Sequence, residues 1–169
     1  VHFEIIHEFD IPRDAVELAF LSPNLIEKLG PKLGNIESVR QTGHDLTDGV
    51  LTRVWSYQAS VKLPAFAEKY VTREMCAWDE RSTYDLKKHA SSWVIVPNVK
   101  PEWQKYFTAS GTYALLALGD GRTRRVVDGS LDLKVPAVFR HVAERMIVNE
   151  VKKTFEAEAA TLRDLAQLV

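Results

Sequence analysis

The stretch from about Val135 to Leu168 constrains the fold more than any other part of the chain. Val138, Val142, Met146, Val151, Phe155, Ala159, Leu162 and Leu165 recur at steps of three to five, and Phe139 and Ile147 widen the row. Between them fall Arg140, Glu144, Arg145, Lys152, Lys153, Glu156, Glu158, Arg163 and Asp164. That spacing predicts one long helix with an apolar stripe and a charged back. Pro136 suits its first turn, where no N–H donor is needed. Burying each large apolar side chain contributes about 1.5–3 kcal/mol before entropy is subtracted. The stripe therefore needs an apolar partner.

The rest of the chain offers a sheet as that partner. His2 to Asp10 alternates, with Phe3, Ile5, His7 and Phe9 on one face, and reads as a strand. Asp14 to Phe20 is a short helical stretch. Ser22-Pro23 opens a second, and Gly30-Pro31 stops it. Strands follow over Ile36–Gln41 and Val50–Ala59, separated by a polar turn containing Asp48-Gly49. A strand near Glu68–Trp78, a turn at Asp79–Ser82 and another strand over Thr83–Lys88 come next. After a loop flanked by Pro97 and Pro101, Lys105–Leu118 and Arg122–Leu133 read as a hairpin around Gly119-Asp120-Gly121. In the last of these strands Val127, Leu131 and Leu133 share a face.

Composition narrows the function classes. The chain has 169 residues, 46% of them hydrophobic, which suits one domain spanning 1–169 with a sizeable core. A formal net charge of -1 gives no global field toward nucleic acid. Trp78, Trp93 and Trp103 do not alternate with basic residues, so nucleic acid is not an expected partner. Cys76, the only cysteine, excludes an internal disulfide, and it reads as a small residue buried in a strand. No apolar run reaches the roughly 18 residues of a membrane span, and the alternating N-terminus is unlike a signal peptide. The expected location is cytoplasmic.

The order of strand, two short helices, about six antiparallel strands and a long helix resembles the helix-grip fold. That is the fold of the START-like (SRPBCC, Bet v 1-type) superfamily. Local stretches add to it: Phe9-Asp10-Ile11-Pro12 before the first helices, and Gly129-Ser130-Leu131-Asp132-Leu133-Lys134-Val135-Pro136 before the last. The segment from Val135-Pro136 through Phe155-Glu156-Ala157-Glu158 is similar to a bacterial branch of the superfamily. The PRELI-type phospholipid carriers have a related layout. The resemblance implies an α+β domain in which a curved antiparallel sheet of about seven strands grips the last helix around an apolar cavity. Its members carry lipids, sterols, polyketides or hormones, and some are cyclases, hydrolases or chaperone partners. Fold alone does not choose among these.

The residues offer limited chemistry. His2, His7, His44, His89 and His141 are far apart, with no HxH, HExxH or CxxC, so neither a metal nor another cofactor is expected. No GxSxG, GxGxxG or Walker loop occurs, and no catalytic residue is assigned. Arg122, Arg124 and Arg125 read as a solvated strand edge, the sharper alternative being a patch for anionic lipid or a partner. On Val50–Ala59, Leu51, Arg53, Trp55, Tyr57 and Ala59 form the larger, aromatic face and are assigned to the interior. Arg53 there needs a carboxylate or a ligand anion, with Glu74 and Asp85 as candidate partners. Arg73 raises the same question. His7 is either a core histidine or the first candidate for a general base.

The leading expectation is a noncatalytic binder or carrier of a hydrophobic or amphipathic small molecule, a lipid in the first instance, with transient membrane contact. Arg53, Trp55, Tyr57, Arg73, Tyr113, Met146 and Phe155 are the candidate ligand contacts. One alternative is a cyclase- or hydrolase-like enzyme using His7 with an Arg and a Tyr. The other is a co-chaperone or regulatory module, which would have a filled core and an exposed apolar patch.

Overall fold

The computed structural model describes residues 1–60 and 72–168. Its strands are β1 (His2–Phe9), β2 (Ile36–Thr47), β3 (Val50–Ala59), β4 (Ala77–Asp85), β5 (Ala90–Pro97), β6 (Phe107–Gly119) and β7 (Arg122–Leu133). Helices α1 (Arg13–Leu21) and α2 (Leu25–Leu29) follow β1, and the long helix α3 (Ala137–Ala166) follows β7. All neighbouring strands pair antiparallel in the order β1-β7-β6-β5-β4-β3-β2, so the first strand closes against the last. This is the helix-grip architecture, α+β, with seven strands around one long helix.

The inner face of the sheet is built by alternation. Phe3, Ile5 and Phe9 of β1 lie beside Val127 and Leu131 of β7, and all five are buried. Leu51, Trp55, Tyr57, Tyr84, Trp93, Tyr113 and Leu115 continue that layer through the middle strands. Val16, Ala19 and Phe20 of α1, Leu25 and Leu29 of α2, and Ala159, Leu162 and Ala166 of α3 close over it. Gly111 and Gly129 are cross-strand partners on this face. Their missing side chains make room for the rings of Trp93 and Phe3, which lie 6.3 Å apart. A Cβ on Gly111 would come within 2.5 Å of Trp93 Cζ2.

The β6–β7 turn has the expected chemistry: Gly119, Asp120 and Gly121 have φ of 84°, 52° and 71°. Three other expectations need correction. β2 does not end at Gln41 but runs to Thr47, because its polar residues face solvent on an edge strand that β3 supports. The turn shrinks to Asp48-Gly49, both at positive φ. Asp79–Ser82 is not a turn but the middle of β4, paired on both sides. Its charges misled because they serve the outer face and a polar interior. Of the strand expected near Glu68–Trp78, residues 68–71 lie outside the described residues. Arg73–Cys76 forms a 3-10 turn, leaving Cys76 half-buried there and not in a strand.

The stripe on α3 also divides. The step from Met146 to Val151 is five residues, about 140° around a helix. The buried side is instead Ile147, Val148, Val151, Phe155, Glu158, Ala159, Leu162 and Ala166. Val138, Phe139, Val142 and Met146 point the other way and stay exposed.

Candidate functional site

Where the sheet, α1 and α3 meet, the interior is polar. Arg53 on β3 is 3% exposed. Its guanidinium lies 4.3 Å from the Phe20 ring centroid and 4.0 Å from that of Trp55, and it donates to the Phe20 carbonyl at 2.8 Å. The guanidinium thus sits over two aromatic rings, a cation–π setting that suits its weakly hydrated charge. Neither Glu74 nor Asp85 answers it. Burial lowers the Arg53 guanidinium from its ordinary value, and the carboxyl groups of Glu158 and Glu80 partly oppose that effect.

Arg125 on β7 is fully buried, which corrects the solvated edge expected for Arg122–Arg125. Arg124 does sit on that surface, paired with Glu8 at 2.7 Å. Arg125 Nη1 donates to Glu158 at 3.3 Å, and its Nη2 donates to the Phe155 carbonyl at 2.7 Å and to His7 Nδ1 at 3.0 Å. A guanidinium only donates, so His7 Nδ1 accepts and the ring is neutral. Burial, with the charges of Arg125 and Arg163, lowers His7 from 6.5 to about 4. A residue held neutral in this way keeps its remaining N–H at Nε2 and cannot easily take a second proton.

Glu80 on β4 and Tyr113 on β6 face the same space. Burial and the Glu158 charge raise Glu80 to about 7, against the opposing pull of Arg53 and a bond from the Tyr57 hydroxyl. Burial also pushes Tyr113 up, so its phenol stays protonated. Among the described residues neither the Tyr113 hydroxyl nor the Arg125 Nε has a hydrogen-bond partner of good geometry, although both are buried. Unpaired buried polar atoms are uncommon and each has a desolvation cost of about 1–3 kcal/mol. Between these groups lies a void of about 10 Å³, lined by Phe20, Arg53, Glu80, Ser82, Ser91, Trp93, Tyr113, Phe155 and Glu158. It is close to the smallest space that holds one water.

The structure thus brings Arg53, Tyr113 and Phe155 to the void. Trp55 and Tyr57 stand just behind, Trp55 donating to Gln41 at 3.1 Å and Tyr57 stacked on Trp78 at 5.3 Å. Arg73 and Met146 lie elsewhere. Arg73 is on the surface, bound to Glu37 at 2.6 Å, and Met146 is 64% exposed. The sequence reading missed Arg125, Glu80 and Glu158. Arg125 has the same parity as Val127 in an alternating strand, and Glu158 adjoins Ala159 on the buried side, so both signals were present.

A second polar group ties α1 to the β4–β5 hairpin. Glu17, 8% exposed, accepts from the Tyr84 hydroxyl at 2.5 Å and pairs with His89 Nδ1 at 2.7 Å. Among the described residues no cluster of His, Cys, Asp or Glu has the grouping of a metal site. No described helix is long and apolar enough to cross a membrane.

Solved structures share this fold at low identity. TTHA0849 from Thermus thermophilus aligns with TM-score 0.64 and 17% identity over 99% of this chain and 98% of its own. The Zhui aromatase/cyclase from a Streptomyces species aligns with TM-score 0.65 and 15% identity, over 99% and 93%. A norcoclaurine synthase point mutant from Thalictrum flavum, in complex with a transition-state analogue, aligns with TM-score 0.65 and 14% identity, over 99% and 95%. These likenesses establish the fold. No curated protein matches the sequence. A protein-family model described as "Protein of unknown function (DUF2505)" matches residues 4–165, and the chain belongs to that family.

Proposed function

We propose that the chain binds a compact amphipathic molecule inside the grip, with an acidic or hydroxyl oxygen set against Tyr113, Arg53 and Arg125. One observation carries this reading: the buried Tyr113 hydroxyl lines the void and, among the described residues, has no hydrogen-bond partner of good geometry. Two guanidiniums, two carboxyls and a phenol gathered in a fold's interior are expensive in desolvation, and such clusters concentrate at functional sites. The void has room for about one water, so any organic ligand requires the grip to open, and a lipid requires it to open further than a small aromatic acid does. Phe20, Trp93 and Phe155 supply flat apolar walls suited to a ring. The ligand class proposed is therefore an aromatic or short-chain acid or phenol, the lipid expectation being its larger variant.

A second reading, acid–base catalysis on such a molecule, is favoured by Glu80. A carboxyl near pH 7 beside a protonated phenol is suited to exchange a proton with bound substrate. The related fold of a Streptomyces aromatase/cyclase and of a norcoclaurine synthase is consistent with it. Isothermal titration of a panel of aromatic acids and phenols tests the first reading. Saturable binding that weakens about tenfold in Tyr113→Phe is expected, and no heat from any compound would remove it. Turnover of a bound compound, lost in Glu80→Gln, would move the assignment to the second.

A further inference from the structure

The first turns of α3 carry an apolar face that stays exposed among the described residues. Val138, Phe139, Val142 and Met146 are 82%, 63%, 64% and 64% exposed. They fall within roughly 100° of helix circumference, on the side opposite Ile147 and Val151. A contiguous exposed face of this kind marks an interaction surface.

The surroundings say what kind. A backbone bond from Lys134 N to the Tyr106 carbonyl, 2.9 Å, joins the start of α3 to the 3-10 turn Pro101–Tyr106. Trp103 and Tyr106 on that turn are each 48% exposed, with the Lys105 ammonium 5.5 Å from the Tyr106 ring centroid. Across residues 99–106 and 132–146, five cations (Lys100, Lys105, Lys134, Arg140 and Arg145) meet three anions (Glu102, Asp132 and Glu144); on the helix Arg145 adjoins the apolar face, whereas Arg140 turns back to the Val135 carbonyl. The chain as a whole carries -1, so positive charge is concentrated at this end. Exposed Val, Phe and Met on a helix, with Arg145 beside them and an exposed Trp, Tyr and Lys on the adjoining turn, are the composition of a segment that lies in a lipid headgroup layer.

We propose that the first three turns of α3, together with the Pro101–Tyr106 turn, dock on an anionic lipid surface. Phe139, Val142 and Met146 enter the boundary between headgroups and acyl chains, while Lys105 and Arg145 meet phosphates. A second copy of the chain fits less well. Its own cations would face these, and four side chains cover far less than the roughly 800 Å² per partner of a stable interface.

Co-sedimentation of the full chain with vesicles tests this. Binding is expected to phosphatidylcholine vesicles containing phosphatidylglycerol, weakening as salt rises. Val142→Asp and Phe139→Asp should each lower the affinity about tenfold, and Arg145→Glu about fivefold or more at low salt. All three positions are exposed, so unchanged thermal melts should accompany the loss. Tyr113→Phe should bind vesicles as wild type does, which separates this surface from the interior site. Three results would each overturn the proposal: no binding to the anionic vesicles, equal binding to phosphatidylcholine alone, or a wild-type dimer that Val142→Asp dissociates.

Discussion

Arg125→Met keeps an apolar stem of similar length and removes the guanidinium that joins β7 to α3. It leaves Glu158, 4% exposed, without its closest cation, and strips a donor from the Phe155 carbonyl and from His7 Nδ1. Removing one member of a buried ion pair typically costs about 3–5 kcal/mol. That is a large share of the roughly 5–15 kcal/mol that holds a domain folded. With a urea slope near 2 kcal/mol/M, the midpoint should fall by about 2 M. The penalty lies mainly in the stranded carboxylate, so the double variant Arg125→Met/Glu158→Leu should recover most of it. Equilibrium urea unfolding of the wild type, both single variants and the double variant measures the coupling. An Arg125→Met penalty below about 1 kcal/mol, or single effects that simply add, would refute a tightly coupled buried pair.

Three further outcomes follow from the same interior. Glu80, raised to about 7, holds a proton in the folded state that the unfolded chain releases above 4.5, so its contribution is lost as pH rises through 7. His7, lowered from 6.5 to about 4, contributes above 6.5 and loses that contribution as pH falls toward 4. The two oppose each other between 4.5 and 6.5. Glu80→Gln should therefore make the urea midpoint climb more steeply with pH across that window, and an unchanged slope would show that Glu80 titrates normally. Tyr84→Phe removes one of the two partners of buried Glu17 and should cost about 1.5–3 kcal/mol. Hydrogen exchange should then quicken in the β4–β5 hairpin before the rest of the sheet, and uniform exchange would contradict the link to α1. Gly111→Ala drives a methyl into Trp93 and the Asp128 carbonyl and should cost at least about 1–3 kcal/mol, checked by thermal melting against a neutral result.

Local patterns made most of the architecture legible. The alternation of β3 and β7, the Gly119-Asp120-Gly121 turn and the length of α3 each depend on neighbours in sequence, and they stand where the residues place them. Features that depend on distant partners were harder. A charged run such as Asp79–Ser82 reads as a turn until flanking strands are known to pair with it on both sides. The apolar positions of α3 read as one stripe because a five-residue step was allowed. A strict three-or-four spacing separates the buried side from the exposed one. Arg53 was legible as an interior cation because its strand is otherwise apolar. Its setting was not, since Phe20 and Glu158 come from opposite ends of the chain. Arg125 escaped because its neighbours Arg122 and Arg124 are surface residues, and composition outweighed parity.

The interior site is tested most directly through the indole resonance of Trp93, which lines the void and donates from Nε1 to the Thr112 carbonyl at 3.3 Å. It can be followed by ¹H–¹⁵N NMR during titration with hydroxynaphthoate, an aromatic acid that also carries a phenol. Occupation of the grip predicts a saturable shift of the Trp93 indole that is lost in Tyr113→Phe and retained in Val142→Asp. An unmoved Trp93 indole at saturating probe, with shifts confined to Trp103 and the first turns of α3, would contradict it.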